Sequence, residues 1–213
     1  MKKRRVGMAR IAEAAEWRLL GLLFERPHAT WREEVAALAR EVGDTEIRAA
    51  AEAARDATEG DHLALLGPGG AVSPREVTYC SFADPGRVLA DLAAFYEAFG
   101  FHPCAEDPID HVAVETGFVG YLLLKEEFAR AHGDRGAAEA TVAARHHFLE
   151  THLALLAGPF AERLGACGPS YVACAAGLLA ARVPKTRPAA PEPDTPGGCG
   201  ACSFSGASDE GGS

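Results

Sequence analysis

The sequence contains no apolar run approaching the eighteen or so residues that a membrane span needs. β-Branched residues are sparse and alanine is abundant, which lowers the prior for sheet and raises it for helix. Positive charge is in deficit, with 21 Lys and Arg against 30 Asp and Glu and a formal net charge of −9. That deficit argues against nucleic-acid binding through a basic face and suits a partner with a positively charged segment. Six cysteines scattered over 213 residues make no dense framework of pairs, so reduced thiols and a cytoplasmic setting are expected. The basic start, Lys2-Lys3-Arg4-Arg5, is followed by Glu13 and Glu16 where an export signal needs an unbroken apolar core. A GxSxG elbow, a Walker-type loop and a GxGxxG turn are all missing, and no cofactor is implied.

What is present is helical punctuation. Ile11, Ala15, Leu19, Leu22 and Leu23 fall at helical spacing before Pro27. Thr30-Trp31-Arg32-Glu33 reads as a capping box for a helix ending near Gly43, and an alanine-rich helix is expected from Asp44 or Thr45 to about Gly60. Gly67-Pro68-Gly69-Gly70 forbids regular structure, and Ser73-Pro74-Arg75-Glu76 could cap one short helix more. Asp84-Pro85 opens an amphipathic helix stopped by Gly100, and Asp107-Pro108 opens another that Gly133 ends. A further helix from about Asp134 runs to Gly158-Pro159, and shorter runs follow around 160–164 and 169–183. The expectation is all-α: an N-terminal lobe over 1–100, a hinge over 101–111 and a C-terminal lobe over 112–183. Residues 184–213, rich in Pro, Gly and Ser, lack the apolar content to offset their ordering entropy and read as a disordered tail.

Two stretches are candidates for chemistry. Cys199-Gly200-Ala201-Cys202 in the tail could chelate a metal or cycle as a dithiol. A structural zinc site needs two more ligands, and an incidental thiol pair outranks a metal- or redox-active protein, which is the alternative function. His146, His147 and His152 lack the i,i+4 spacing of a helical metal site, so solvated or core-edge histidines are expected. The other stretch is Glu106-Asp107-Pro108-Ile109-Asp110-His111. Asp107 suits the N-cap and Pro108 the first helical position, with Asp110 near the positive end of the helix dipole. Glu106, Asp110, His111 and Glu115 then exceed what capping requires. Catalysis with His111 as base and Asp110 as its orienting partner ranks last, because adjacent helical residues diverge by about 100°.

The pattern Glu106-x-Pro108-x-Asp110-His111, with Glu115 and Phe118, resembles the signature of the TorD/DmsD/NarJ-type redox-enzyme maturation chaperones. The resemblance extends to Trp17–Pro27, to the run from Tyr79 through Phe95-Tyr96 to Phe99-Gly100, and to Phe148-Leu149-Glu150-x-His152-Leu153 with Phe160 and Leu164. Thr116-Gly117-Phe118-Val119 departs from the leucine-rich stretch of many members, and the CxxC tail is foreign to the pattern. The resemblance implies a two-lobed helical chaperone and not an enzyme. Its partners would be the apo catalytic subunit of a molybdopterin oxidoreductase of the dimethyl sulfoxide reductase type and that subunit's twin-arginine signal peptide. Glu106, Asp110 and Glu115 would receive the basic end of the peptide, His111 would hydrogen-bond within the hinge, and Pro108 shapes the motif. Val112, Phe118 and Tyr121 would line an apolar groove. Monomer and domain-swapped dimer are both left open.

Overall fold

The structure, a computed structural model, describes residues 2–80, 84–103, 107–167 and 170–185, with side chains from Gly7 onward. It is all-α. The helices are α1 (Lys2–Phe24), α2 (Trp31–Glu41), α3 (Thr45–Ala53), α4 (Glu59–Leu66), α5 (Pro85–Phe99) and α6 (Val112–Ala131). Then come α7 (Arg135–Phe148), a widened π turn (Leu149–Leu153), α8 (Ala154–Ala166) and α9 (Tyr171–Arg182). Among the described residues no helix is long and apolar enough to cross a membrane.

The centre is the pair α1–α6. Gly7 lies against Glu127, Ala14 against Gly120 and Gly21 against Ala113, so the two helices run antiparallel. Glycine is needed at two of these contacts. A Cβ on Gly21 would stand 3.0 Å from the Ala113 carbonyl oxygen, and one on Gly120 would stand 3.1 Å from that of Ala14. The backbones approach too closely for a side chain between them. The second half of α1 is buried all round, through Leu19, Leu20, Leu22, Leu23 and Phe24, and α2, α3 and α9 pack on it as well. Trp31 locks the α1–α2 corner by donating its indole N–H to the Leu22 carbonyl at 2.7 Å. One apolar cluster runs from Ala14 to Val183, across the join at 101–111. A charged knot sits at the other end of the pair: the fully buried Glu126 of α6 is met by Arg10 of α1, Arg130 of α6 and Arg145 of α7.

Several boundaries differ from the expectation, each for a visible reason. Thr30 precedes α2 but does not cap it, because its hydroxyl donates to the Glu34 carboxylate at 2.7 Å. The alanine-rich helix stops at Ala53, and Thr58 caps a separate helix by accepting from the Asp61 N–H. Pro159 lies inside α8 and does not end it. A proline offers no N–H to the carbonyl four residues back, and that carbonyl belongs to Leu155, an exposed residue. Ser73–Glu76 leads only into a single 3-10 turn, Glu76–Thr78. The Asp84-Pro85 start and the left-handed Gly100 stop of α5 are found where expected, with Asp84 accepting from the Gly86 N–H.

Candidate functional site

The segment 107–111 is not the first turn of a helix. α6 begins at Val112, with His111 as its N-cap, so the expected start with Asp107 as cap and Pro108 at the first position is corrected by four residues. The cause lies elsewhere in the chain. Pro74 accepts from the Val112 N–H at 2.9 Å, the Glu76 N–H donates to the Asp110 carbonyl at 2.9 Å, and Arg75 and His111 form an antiparallel bridge. Backbone groups that a helix would have used are committed to this ladder. Residues 108–111 close a turn, with the His111 N–H donating to the Pro108 carbonyl at 2.9 Å.

The ladder places the side chains. Asp110 is fully buried, and Arg75 grips it side-on, with Nε at 2.9 and 3.2 Å from its two oxygens and Nη2 at 2.8 Å. Charge assistance and two-point contact make this a strong anchor. His111 accepts from the Ala113 N–H through Nδ1 at 3.2 Å. Burial, with help from the Arg75 charge and against Asp110, pushes its pKa down to about 4. The ring is therefore neutral at pH 7, with its proton on Nε2. Tyr96 of α5 donates its hydroxyl to the Ile109 carbonyl at 2.9 Å and so pins the turn from the other side.

Beneath the ladder is a buried polar chain. Glu76 faces His152 of the π turn, whose Nδ1 stands 3.0 and 3.1 Å from its two oxygens. His152 Nε2 lies 3.5 Å from the carboxylate of Asp91, which is exposed. That is an ion-pair separation rather than a hydrogen bond. Glu115 is also fully buried, and neither of its oxygens has a hydrogen-bonding partner among the described residues when both acids are ionised. Burial first, then the charges of Glu76 and Asp110, hold its pKa well above the usual carboxylate range. A proton on Glu115 resolves the conflict, since it turns Glu115 into a donor to Glu76. Cys80 adds a thiol 3.8 Å from Glu76, with its pKa pushed up to about 11 by burial and by that carboxylate. Phe95, Phe118 and Phe148 wall the chain in, with the Phe148 and His152 rings 4.9 Å apart.

The expected site residues therefore separate. Asp110, His111 and Glu115 come together around Arg75 and Glu76, and Pro108 is exposed on the turn. Glu106 lies outside the described residues, as do Cys199 and Cys202. Phe118 and Val112 have no exposed surface and support the site from below instead of lining a groove. Tyr121 does reach the surface, where it donates its hydroxyl to the Phe99 carbonyl at 3.0 Å. Beyond it on the same face of α6 are Leu124 and Phe128, both exposed, at i+3 and i+7. Reasoning from sequence missed Arg75, Glu76 and the burial of His152, which was expected to be solvated or at the core edge. No local signal marks them, because Glu76 and His152 are separated by 76 residues.

Among the described residues no group of three or more His, Cys, Asp or Glu side chains is arranged to hold a metal ion. The family model described as nitrate reductase delta subunit matches residues 25–162, a span that contains the whole buried chain from Arg75 to His152. Searches of the curated proteins and of the solved structures gave no match.

Proposed function

The chain belongs to the nitrate reductase delta subunit family, the NarJ/TorD-type chaperones of molybdoenzyme assembly, and on that premise we propose that it acts in the cytoplasm on an oxidoreductase of the dimethyl sulfoxide reductase type. It binds the twin-arginine signal peptide of the apo catalytic subunit, or that subunit itself, until cofactor insertion is complete. It acts as a receptor and not as a catalyst.

One observation carries this reading: α6 leaves Leu124 and Phe128 exposed beyond the half-buried Tyr121, in a row leading away from the carboxylate-rich corner at 107–115. A signal peptide offers paired guanidiniums followed by an apolar stretch, and such a row suits the second part as the corner suits the first. In the resting state Asp110 and Glu115 are fully buried and Arg75 holds Asp110. A peptide guanidinium therefore competes with Arg75 for Asp110. In this proposal 101–111 is the hinge between the parts before residue 100 and after residue 112, and movement there frees Asp110. Glu106 is a further acid for the basic end of the peptide, Pro108 and His111 shape the mouth, and Phe118 holds Tyr121 in place.

The test is calorimetry of the full chain with its cognate signal peptide. Leu124→Glu with Phe128→Glu changes only exposed positions, so the helical spectrum and melting curve should match the parent while affinity falls at least about tenfold. Equal affinity in that variant removes the apolar row from the site.

A further inference from the structure

A second surface lies on the far side of α1, between α2 and α3, where a cleft of about 570 Å³ opens to solvent. Its floor is small and apolar, with Val35, Ala36, Ala39 and Ala49. Its rim carries Arg32, Arg40, Arg48 and Arg55 against a single acid, Glu52. In a chain of net charge −9 this is a local reversal of sign. Glu52 is paired with Arg55 at 3.0 Å, and Arg32 donates to the carbonyls of Arg55 and Ala57 at 3.1 and 2.6 Å. Arg40 and Arg48 make no ion pair among the described residues. The acids of the same two helices, Glu33, Glu34, Glu41 and Glu46, do not line the cleft. The arginines are thus sorted onto one face, where an acidic segment would be drawn.

The path of the chain supplies a candidate for that segment. α9 ends with Arg182, whose guanidinium pairs with Asp44, the N-cap of α3. The end of α9 is therefore fixed at the head of α3, the helix that brings Thr45 and Arg48 to the rim of the cleft. After Arg187 the sequence has Glu192, Asp194, Asp209 and Glu210 and no Lys or Arg. Pro188-Ala189-Ala190-Pro191 is as small and apolar as the floor. From Lys185 to Asp194 the chain spans up to about 30 Å when extended, ample against the roughly 14 Å length of α3.

We propose that the α2–α3 cleft is a docking groove for this chain's own C-terminal segment, with Glu192 and Asp194 on Arg40 and Arg48 and Pro188–Pro191 over the alanine floor. Tethering supplies an effective concentration in the mM range, so contacts too weak to hold a free peptide suffice in cis. The groove is then occupied until a more acidic segment of a partner displaces the tail. This inference does not depend on the signal-peptide reading, which concerns the opposite charge and a different helix, α6.

The test uses the full chain and a guanidinium reagent. Phenylglyoxal modification of Arg40 and Arg48 is followed by mass spectrometry at low salt, with Arg87 as the internal reference. Glu192→Lys with Asp194→Lys lies beyond the core, which ends at Val183, so the fold is unaffected. These two substitutions should speed modification at Arg40 and Arg48 by about fivefold for a contact of a few tenths mM and leave Arg87 unchanged. The parent's protection should persist on tenfold dilution. Equal rates in parent and variant overturn the proposal. Protection that disappears on dilution also overturns it, because a second copy would then be covering the groove.

Discussion

Helix α6 carries two fully buried glutamates, and they are treated in opposite ways. Glu126 is surrounded by cations: Arg10 from α1, Arg130 from its own helix and Arg145 from α7 converge on it. Glu115 is surrounded by acids, with Glu76 and Asp110 facing it and no donor of its own. The first is ringed by guanidiniums, and it cross-links three helices. The second is a carboxyl group kept neutral, and its proton joins two acids that would otherwise repel. Burial alone does not set the behaviour of a carboxyl group; the sign of its neighbours does. The end of α6 near Glu126 is therefore a rigid tie. The end near Glu115 is a place where charge can change.

Removing the tie should have the largest effect. Glu126→Gln leaves three guanidiniums facing one another, and should cost about 3 kcal/mol in urea unfolding. The figure sits at the low end of the range for broken buried pairs because Arg130 remains partly solvated. A loss below about 1 kcal/mol would mean the arginines find other partners.

Asp110→Asn should cost less, about 1–2 kcal/mol by the same measurement, because an amide oxygen still accepts from Arg75 and that guanidinium is partly exposed. Loosening there should also show as faster amide exchange at Glu76 and Val112, the two ladder donors.

Glu115→Gln should cost no stability at pH 7 and has the most informative dependence on pH. The folded-state pKa of Glu115 is raised, so its contribution to stability is complete below the unfolded value near 4.5 and declines as pH rises towards the folded value. Glutamine mimics the protonated acid and has no such decline. The variant should match the parent at pH 4 and exceed it at pH 7, in urea midpoints taken across that range. A variant that loses stability steadily with rising pH relative to the parent would show Glu115 to be ionised.

The Asp84-Pro85 and Asp107-Pro108 starts explain which parts of this molecule were readable from sequence. Locally the two are alike, an acid followed by proline before an amphipathic run. The first behaves as expected because nothing among the described residues competes for its backbone. The second is overruled by residues 74–76, whose claim on residues 110–112 comes from tertiary pairing that no periodicity records. The same holds for the site. Asp110, His111 and Glu115 could be singled out as polar groups in excess. Their partners could not, because Arg75 and Glu76 read as part of a helix cap and His152 as one histidine among several. The π turn that carries His152 into the core also leaves no mark, since Phe148 to Leu153 follows an ordinary helical pattern. Thr30 makes the same point in reverse: the capping-box letters are present, but the hydroxyl prefers Glu34.

The ladder between 74–76 and 110–112 also gives the chain a topological property. Arg75 and Asp110 are 35 residues apart, so the stretch that includes α5 begins and ends at the same point. It is a closed excursion, stapled at its base. Closure entropy grows only logarithmically, and doubling such a loop costs roughly 0.6 kcal/mol. Closure therefore sets little limit on the length of the connections at either end of α5, while α5 itself is tied to the α1–α6 frame through Phe95, Tyr96 and Phe99 on Phe118.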